Sequence, residues 1–227
     1  MSISAHFRLL RKKKKSLVKG EIELHLIRFL CRHDSVSIDV GANKGNYSLE
    51  MAKYSSKVFC LEPNKGFNKY LSKMPKNCEV VNAAVTSSEN EKFLHAPLID
   101  GNAKHNMAFI SSNKNVDNMK CLSQVKTVKL DDYSEENVGM VKIDVEGGEM
   151  DVLNSSRKLI EKSSPNFLIE SLNKEELLNQ ISFFNSYEYV ALKVIKDDIF
   201  FVKDEHIFDK CRDIDRNTIF IPSKISL

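Results

Sequence analysis

Apolar and polar positions follow two rhythms along most of the chain. Short runs of aliphatic and β-branched residues predict buried strands at 36–40, 57–61, 79–85, 138–145 and 167–171. Segments with apolar residues three or four positions apart predict helices at 20–32, 48–54, 67–74, 149–161 and 174–184. Because strands alternate with helices, we predict an α/β fold: a doubly wound, mostly parallel sheet with helices on both faces.

The middle of the chain interrupts this alternation. Residues 92–94 and 108–110 predict short antiparallel strands, and residues 125–130 predict another strand. A polar stretch that contains His105 lies between the first two and predicts a loop. We expect a variable region over residues 95–118, and within it we expect the loop at residues 98–115 to form a lid over the acceptor.

A chain of 227 residues suits one domain with a sizeable core, which we assign to residues 20–227. Near its end, the apolar residues 187–195 and 199–202 flank the polar residues 196–198 and predict a hairpin. The tail after Val202 gives no indication of function.

Charge is unevenly distributed, although the formal net charge is only +3. Residues 1–19 form a basic arm with seven Lys or Arg and no Asp or Glu, which leaves −4 on the rest of the chain. Enzymes of nucleic acids more often carry positive charge on the folded face that meets phosphate, so a nucleic-acid partner is disfavoured. The arm itself is expected to be solvated, with contact to an anionic membrane surface or to RNA as functional alternatives.

Cysteine usage and hydropathy indicate the compartment. The five cysteines form no C-x-x-C pair, so we expect no structural zinc, and Cys60 lies in an apolar run. No apolar run approaches the roughly 18–20 residues of a membrane span, and no signal-type apolar stretch follows the basic arm. These features predict a cytoplasmic protein with reduced thiols.

The strongest chemical signal is a glycine-rich turn after the first predicted strand, within the segment IDVGANKGNYS at residues 38–48. Gly41 and Gly45 allow a tight turn, so that a ligand can approach the N–H groups of the following helix. Ligands of doubly wound sheets bind beyond the carboxyl ends of the strands, where this turn lies. The spacing does not match the G-x-G-x-x-G dinucleotide fingerprint, and no Lys-Ser/Thr follows as in a P-loop.

Glu62 ends the second predicted strand, about 20 residues after the glycine turn. A carboxylate at this position can accept hydrogen bonds from both ribose hydroxyls of a nucleoside. The structural alternative is a solvated carboxylate at a strand end. Together, the turn and Glu62 predict a ligand that contains a nucleoside.

A third group of charges lies in the segment KIDVEGGE at residues 142–149. Lys142, Asp144 and Glu146 alternate with apolar residues, so a period of two puts all three on one face of a strand. An apolar strand cannot bury such charges cheaply unless they are paired or lie at its end. We therefore expect a charged cluster at the ligand edge of the sheet, with a salt-bridged strand end as the alternative.

With these segments, the sequence resembles the FkbM-type methyltransferase family. The matching segments keep their order and spacing, and they are 38–48, 62–63, 82–85 (NAAV), 130–133 (LDDY), 142–149 with 152–153, and 165–170. The resemblance implies a class I methyltransferase (Rossmann-like) fold with a seven-stranded sheet and S-adenosylmethionine as donor. It also implies methylation of a hydroxyl on a sugar, a glycan or another small natural product. The basic arm and the C-terminal tail lie outside the resemblance.

The resemblance also implies cofactor contacts at individual residues. The glycine turn would hold the methionine end, Glu62 the ribose, and the end of the third strand would lie beside the adenine. The implied cofactor set is Asp39, Gly41, Ala42, Asn43, Gly45, Asn46, Tyr47, Glu62, Asn82 and Ala83. Asp144 and Glu146 would face the sulfonium methyl and the acceptor.

Methyl transfer to a hydroxyl requires that its proton be removed, because an alcohol is a poor acid. Candidates for the general base are Glu146, Glu170 and His105, and Lys142 and Asp144 complete the catalytic set. A surface position is the plainer interpretation of His105. Asp144 and Glu146 are also candidates to hold Mg²⁺ through oxygen ligands, although two carboxylates are too few to define a site.

Three other functions compete with this interpretation. An RNA 2′-O-methyltransferase could use Lys142, Asp144 and a glutamate in the same way. A non-catalytic cofactor-binding module is disfavoured by the intact turn, Glu62 and the charged cluster, and an oxidoreductase by the missing G-x-G-x-x-G. Asp131 and Asp132 are candidates for a second acidic pair, although Asp132 is more readily interpreted as a cap of the following segment or a loop anchor. The acceptor and the oligomeric state do not follow from the sequence.

Overall fold

The computed structural model describes residues 23–195, 198–202 and 216–223. The expectations for the basic arm at 1–19, and for the turn of the predicted hairpin at 196–197, lie outside these ranges. Within the described ranges, no helix is long and apolar enough to cross a bilayer.

The described residues form thirteen strands, which build two sheets. Along the chain the strands are β1 (Val36–Val40), β2 (Lys57–Leu61), β3 (Cys78–Val81), β4 (Ala83–Val85), β5 (Lys92–Ile99), β6 (Asn102–Ala103), β7 (Phe109–Ser111), β8 (Met119–Val128), β9 (Val138–Ile143), β10 (Asn166–Glu170), β11 (Tyr189–Ile195), β12 (Asp198–Phe201) and β13 (Asn217–Pro222). The main sheet has eight strands in the order β12-β11-β13-β10-β9-β1-β2-β3.

Five neighbouring strands of the main sheet run parallel, as predicted: β10, β9, β1, β2 and β3. β13 and β11 are antiparallel to their neighbours, and the predicted hairpin of β11 and β12 is confirmed. That hairpin adds an edge strand, so the expected number of seven becomes eight. β1 and β9 are buried along their whole length, because helices cover both faces, and this explains their continuous apolar runs.

Six α-helices cover the two faces of the main sheet in the described residues. They are α1 (Glu23–Leu30), α2 (Asn46–Met51), α3 (Asn68–Leu71), α4 (Glu149–Asn154), α5 (Arg157–Ser163) and α6 (Lys174–Asn185). The first three pack into one apolar cluster through Ile27, Met51 and Leu71. The last three pack into the other through Leu153, Leu159 and Phe184. The N-terminal helices thus form one layer and the C-terminal helices the other.

The second sheet is inserted in the chain between β3 and β9. Its order is β4-β8-β5-β6, with β7 paired beside β5. The antiparallel strands predicted at 92–94 and 108–110 are confirmed as β5 and β7. The region 95–118, expected to be variable, contains the end of β5, all of β6 and β7, and a short 3₁₀ helix at His105–Met107.

Two predicted elements are split in the structure. The strand predicted at 79–85 breaks at Asn82, and its second half leaves the main sheet to pair with β8. The helix predicted at 149–161 breaks at Ser155 and Ser156, whose hydroxyls donate to the carbonyls of Val152 and Leu153. Such local bonds of serine to the backbone compete with continuation of a helix.

Candidate active site

Parallel strand ends meet at one edge of the main sheet and form the candidate site. The cleft above this edge has two lobes, which share Gly41, Asn43, Asn106 and Asp144. The Glu62 lobe, with about 790 Å³ up to its open mouth, is further lined by Leu61, Glu62, Pro63, Phe67, Ala83, Ala84, Val85, Leu94, His105, Phe109 and Glu146, among others. The Lys142 lobe is further lined by Asp39, Ala42, Lys44, Asn46, Tyr47 and Lys142.

The two glycines of the turn after β1 allow other parts of the protein to pack closely against it. Gly41 has a φ of +76°, and a Cβ there would lie 1.8 Å from the carbonyl oxygen of Asp144. Gly45 has a φ of +81°, and a Cβ there would lie 2.7 Å from the methyl carbon of Met74. The turn can therefore pack against the loop after β9 and the end of the α3 segment only because both positions lack a side chain. Gly41 also lines both lobes of the cleft, and the predicted contact of the turn with a ligand stays a prediction.

Glu62 is a buried carboxylate that two backbone amides hold in the cleft. Its Oε2 accepts from the N–H of Asn43 and its Oε1 from the N–H of Asn64, both at 2.7 Å. Burial raises the pKa of Glu62 to about 7, against the opposing effect of the two N–H donors. Each oxygen retains a lone pair, so both can still accept a hydrogen bond from a ligand hydroxyl.

The walls around Glu62 are mainly apolar. One wall consists of Leu61, Pro63 and Phe67 from the main sheet and the helical turn after it. The other consists of side chains from the second sheet, including Leu94 and Phe109. An apolar slot with a single buried acceptor carboxylate suits a flat heterocycle joined to a group that carries hydroxyls.

Lys142 is the cation at the centre of the other lobe. Only 3% of its side chain is exposed, and its Nζ lies 3.0 Å from Oδ2 of Asp144 and 3.8 Å from Oδ1 of Asp39. The Nζ also lies 4.7 Å from the ring centre of Tyr47. Burial lowers the pKa of Lys142, but attraction to Asp144 and Asp39 outweighs it, and the net shift is upward. Lys142 is therefore a charged, paired residue, as expected for a strand of this kind.

Asp39 supplies an acceptor that protein groups do not use fully. Its Oδ2 accepts from the hydroxyl of Ser48 at 2.5 Å, whereas its buried Oδ1 finds no hydrogen-bond partner among the residues that the structure describes. Burial raises the pKa of Asp39, and Lys142 opposes that shift. A buried oxygen without a hydrogen bond, next to an ammonium, is a site at which a ligand donor can be accommodated.

The alternation predicted for Lys142, Asp144 and Glu146 is wrong beyond Ile143. β9 ends at that residue, and Glu146 adopts a left-handed backbone with φ of +60°. The loop is held from within by Glu149, whose Oε1 accepts from the N–H groups of Val145 and Gly147, both at 3.2 Å. Sequence reasoning did not select Glu149, although its position at the start of a helix, after two glycines, was a usable signal.

Three carboxyl groups approach one another beside this loop. Glu146 lines the Glu62 lobe, and burial, then Asp144 and Glu149, raise its pKa. Glu170, at the end of β10, has a pKa raised to about 7 by burial and then by Asp144 and Glu146. Asp144 thus acts electrostatically on both glutamates. The expected charged cluster thus joins Asp39, Lys142, Asp144, Glu146 and Glu170, and we call it the Lys142 cluster.

His105 and Asn106 lie over the cleft on the short 3₁₀ helix of the second sheet. His105 is exposed, as its plainer interpretation required, and its Nδ1 lies 3.4 Å from the side-chain nitrogen of Asn64. Asn64 binds Glu62 through its own N–H, so His105 lies on the Glu62 side of the cleft. Asn106 borders both lobes and was not selected from the sequence, because nothing in its local pattern distinguishes it from other loop residues.

Asn82 and the pair Asp131 and Asp132 have mainly structural contacts. Asn82 does not line either lobe; its amide exchanges two hydrogen bonds with Asn68 and donates to the carbonyl of Glu62. Asp132 accepts from the N–H of Lys129, and Asp131 accepts from the N–H of Leu159. The interpretation of the aspartate pair as a cap and loop anchor agrees with these contacts.

The structure does not support the Mg²⁺ suggested for Asp144 and Glu146. Across residues 23–195, 198–202 and 216–223, no group of three or more His, Cys, Asp or Glu has a geometry that could hold a metal ion. The cation in the cluster is Lys142, which already neutralises part of its negative charge.

Comparison with known proteins gives one match of sequence and several of fold. The family model described as "Methyltransferase FkbM domain" matches residues 39–191. No curated protein sequence shows a significant match.

One solved structure, Methyltransferase FkbM from Methylobacillus flagellatus KT, is similar with a TM-score of 0.55 and 14% identity. The alignment covers 84% of this chain but 44% of that one, so the chain spans less than half the length of this neighbour. A putative methyltransferase from Streptococcus mutans in complex with SAH has a TM-score of 0.48 and 10% identity, over 88% and 96% of the chains. A SAM-dependent O-methyltransferase from Thermotoga maritima has a TM-score of 0.46 and 12% identity, over 91% and 67%.

Proposed function

The chain belongs to the FkbM methyltransferase domain family, and on this basis we propose that it is an S-adenosylmethionine-dependent methyltransferase that acts on a hydroxyl. The observation that carries the proposal is the pairing of two unlike lobes in one cleft. One has a buried acceptor carboxylate between apolar walls, and the other has charges of both signs.

The donor matches these two lobes in chemistry. Its adenosine suits the Glu62 lobe, where the carboxylate can accept from ribose hydroxyls and Phe67 and Ala83 offer apolar surface. Its amino-acid end carries an ammonium and a carboxylate, which suit Asp39 and Lys142 respectively. The bound donor would supply a methyl group on a sulfonium, whose leaving group is a neutral thioether.

Glu146 is our candidate for the group that accepts the proton of the acceptor hydroxyl. It lines the cleft, and its raised pKa makes it a stronger base than an ordinary surface carboxylate. Glu170 is a positioning residue in this proposal, because it does not line either lobe and acts on the cluster beside Asp144 and Glu146. His105 is assigned to the rim of the cleft instead of to proton transfer, because its contact is with Asn64.

We retain a small acceptor, such as a sugar, a glycan or another natural product, because the second sheet covers much of the cleft. The short helix with Asn106 lies between the two lobes and would restrict access by a bulky duplex. A cytoplasmic location also remains part of the proposal, supported by four described cysteines that are free thiols.

The experiment that tests the proposal is calorimetric titration of the full chain with S-adenosylmethionine and, separately, with NAD. We expect binding of the first and none of the second, because the cleft has a single ribose-type carboxylate and no dinucleotide fingerprint. A methyl-transfer assay with radiolabelled donor against a panel of saccharides, small alcohols and RNA then identifies the acceptor. If the folded protein does not bind S-adenosylmethionine, the methyltransferase proposal is wrong. If methyl transfer occurs to RNA alone, the acceptor is RNA and not a small molecule.

A further inference from the structure

The N-terminal helical layer carries an unusual concentration of lysine next to the cleft. Residues 63–78 contain four lysines and no Asp or Glu. Lys65, Lys69 and Lys73 recur every fourth residue along the 3₁₀ turn Lys65–Phe67, α3 and the turn that ends it. Phe67 and Leu71 face the core from the same segment, so the lysines occupy its outer side. Lys76 is exposed just beyond them.

These lysines are not balanced by carboxylates of the described chain. None of Lys44, Lys65, Lys69, Lys73 or Lys76 has an Asp or Glu within ion-pair distance in residues 23–195, 198–202 and 216–223. Two of them lie near aromatic rings: Nζ of Lys69 is 5.2 Å from the ring centre of Tyr70, and Nζ of Lys44 is 5.9 Å from that of Phe67. The layer is therefore a source of unneutralised positive potential.

The same layer also exposes aromatic and basic groups on α1. Phe29 is 66% exposed, and the guanidinium of Arg28 lies 4.4 Å over its ring. Arg32 and His33 are exposed directly after the helix. The seven basic residues of the N-terminal arm precede α1 in the sequence. Cationic side chains interleaved with exposed rings are typical of surfaces that contact the headgroup region of a membrane.

The C-terminal layer shows that this asymmetry is not a general property of the surface. Its exposed charges alternate in sign, with Arg157, Lys158 and Lys162 next to Glu161 and Glu175. Lys158 and Lys162 both pair with Glu135. Opposed charges of this kind cancel beyond about 10 Å at moderate ionic strength, whereas like charges on one face add.

We propose that the outer surface of the α1–α3 layer docks on an anionic lipid bilayer, through Lys65, Lys69, Lys73 and Lys76 with Tyr70 and Phe29 at the headgroups. A flat, polyanionic bilayer complements the positive charge of this surface. This surface suits a nucleic acid less well than a bilayer. Proteins bind single strands in grooves that have aromatic stacking platforms, and they use arginine in preference to lysine. The proposal concerns where the protein binds and does not depend on its reaction.

Docking in this manner would bring the cleft near the lipid surface. The lysine-bearing segment begins at Lys65, which Asn64 caps, and Asn64 is bonded to Glu62 inside the cleft. Phe67 lines the Glu62 lobe from the same segment, and Lys44 lines the Lys142 lobe. An acceptor attached to a lipid headgroup could therefore reach the cleft without leaving the membrane surface.

The test is co-sedimentation of the full chain with vesicles of phosphatidylcholine alone, or of phosphatidylcholine with about 30% phosphatidylserine. We expect binding to the anionic vesicles only, and a decrease as salt is raised from about 0.05 to 0.5 M. The variant K65E/K69E/K73E should lower the partition coefficient by about 100-fold or more, at about five-fold for each lysine removed. The neutral variant K65Q/K69Q/K73Q shows whether charge reversal itself disturbs folding. Its partition coefficient should fall by about five-fold for each of the three lysines removed.

The matched control is K114E/K120E/K126E, which changes the net charge equally at exposed lysines of the second sheet region that form no ion pair within the described part of the chain. Its partition coefficient for anionic vesicles should fall by less than about ten-fold, since these residues lie outside the α1–α3 layer. Equal losses in both charge-reversed variants would show attraction by net charge alone and overturn the proposal. So would vesicle binding that survives K65E/K69E/K73E, no binding by the wild type, or binding to a single-stranded RNA in place of vesicles.

Discussion

The cleft contains two acidic regions that the protein stabilises in different ways. Glu62 stands alone, and two backbone N–H groups hold its oxygens. The carboxylates of the Lys142 cluster are held mainly by side chains, with one ammonium between Asp39 and Asp144. Backbone amides are fixed by the fold, whereas a side-chain cluster depends on each member. Substitution of Glu62 should therefore leave the fold stable and weaken donor binding. Substitutions in the Lys142 cluster should lower the free energy of unfolding or kcat.

The largest expected effect tests chemistry in the Lys142 cluster. With the acceptor identified by the panel assay, Glu146→Gln should lower kcat by about 10²–10⁴-fold, the usual contribution of a general base. The affinity for S-adenosylmethionine should stay within about three-fold, since Glu146 is assigned to the acceptor and not to the donor. Steady-state kinetics with calorimetry measures both quantities.

Glu161→Gln is the matched control for that variant. Glu161 is an exposed carboxylate of α5, in the C-terminal helical layer, and it lines neither lobe of the cleft. It should leave kcat unchanged. Retention of more than about a tenth of kcat in Glu146→Gln would exclude Glu146 as the base. Loss of kcat in Glu170→Gln, with Glu146→Gln active, would move that role to Glu170.

The second effect tests whether the cluster holds itself together through its one ammonium. Lys142→Met leaves the Asp39 and Asp144 carboxylates without their cation, and we expect the free energy of unfolding to fall by about 3–5 kcal/mol. Urea unfolding followed by circular dichroism measures the change. Lys57→Met is the control, since Lys57 pairs with Glu79 on the surface, and it should cost less than about 1 kcal/mol. Equal losses in the two variants would contradict a dependence of the cluster on Lys142.

The third effect tests binding at the Glu62 region. Glu62→Gln puts an NH₂ group against the N–H of Asn43 or Asn64 and removes the charge that attracts ribose hydroxyls. The affinity for S-adenosylmethionine should fall by about 10–100-fold, as for loss of hydrogen bonds to a charged group. Titration calorimetry checks this, with Glu79→Gln on the neighbouring strand as a variant that should bind normally. Unchanged affinity in Glu62→Gln would separate Glu62 from the donor.

The smallest effect follows from the pKa of Glu62, which burial raises to about 7. Below that pH the carboxyl holds a proton and loses acceptor capacity, so the donor should bind about ten-fold more weakly at pH 6 than at pH 8. The raised pKa also means that Glu62 contributes stability below its ordinary value of 4.5, and that this contribution is lost as the pH rises through about 7. Calorimetry at the two pH values measures the first effect, and it should disappear in Glu62→Gln. An affinity independent of pH would refute it.

The features that the sequence predicted best are those that depend on local pattern. β1, β2 and β9 are buried on both faces and therefore read as continuous apolar runs, and the hairpin of β11 and β12 is marked by its polar turn. Glu62 could be selected because it follows directly on one of these runs. The parallel sheet with helices on both faces follows from the order of these elements.

The features that the sequence missed depend on contacts between distant residues. The strand predicted at 79–85 breaks because Asn82 pairs with Asn68, and nothing in the apolar pattern signals that pairing. The alternation after Ile143 fails because Glu149 draws the loop into a left-handed turn at Glu146. Asn106 borders both lobes only because the second sheet folds back over the cleft.

The packing at Gly41 has a consequence for selection experiments. In a saturation library sorted for function, every replacement at this position would be depleted, because a Cβ would lie 1.8 Å from the carbonyl oxygen of Asp144. The depletion would resemble that of a residue in direct contact with the reacting atoms. Its cause would be different: the added carbon pushes away the loop that carries Asp144 and Glu146. Intolerance to substitution at Gly41 would therefore report the fit between two loops, and by itself it would give no evidence of a contact with the donor.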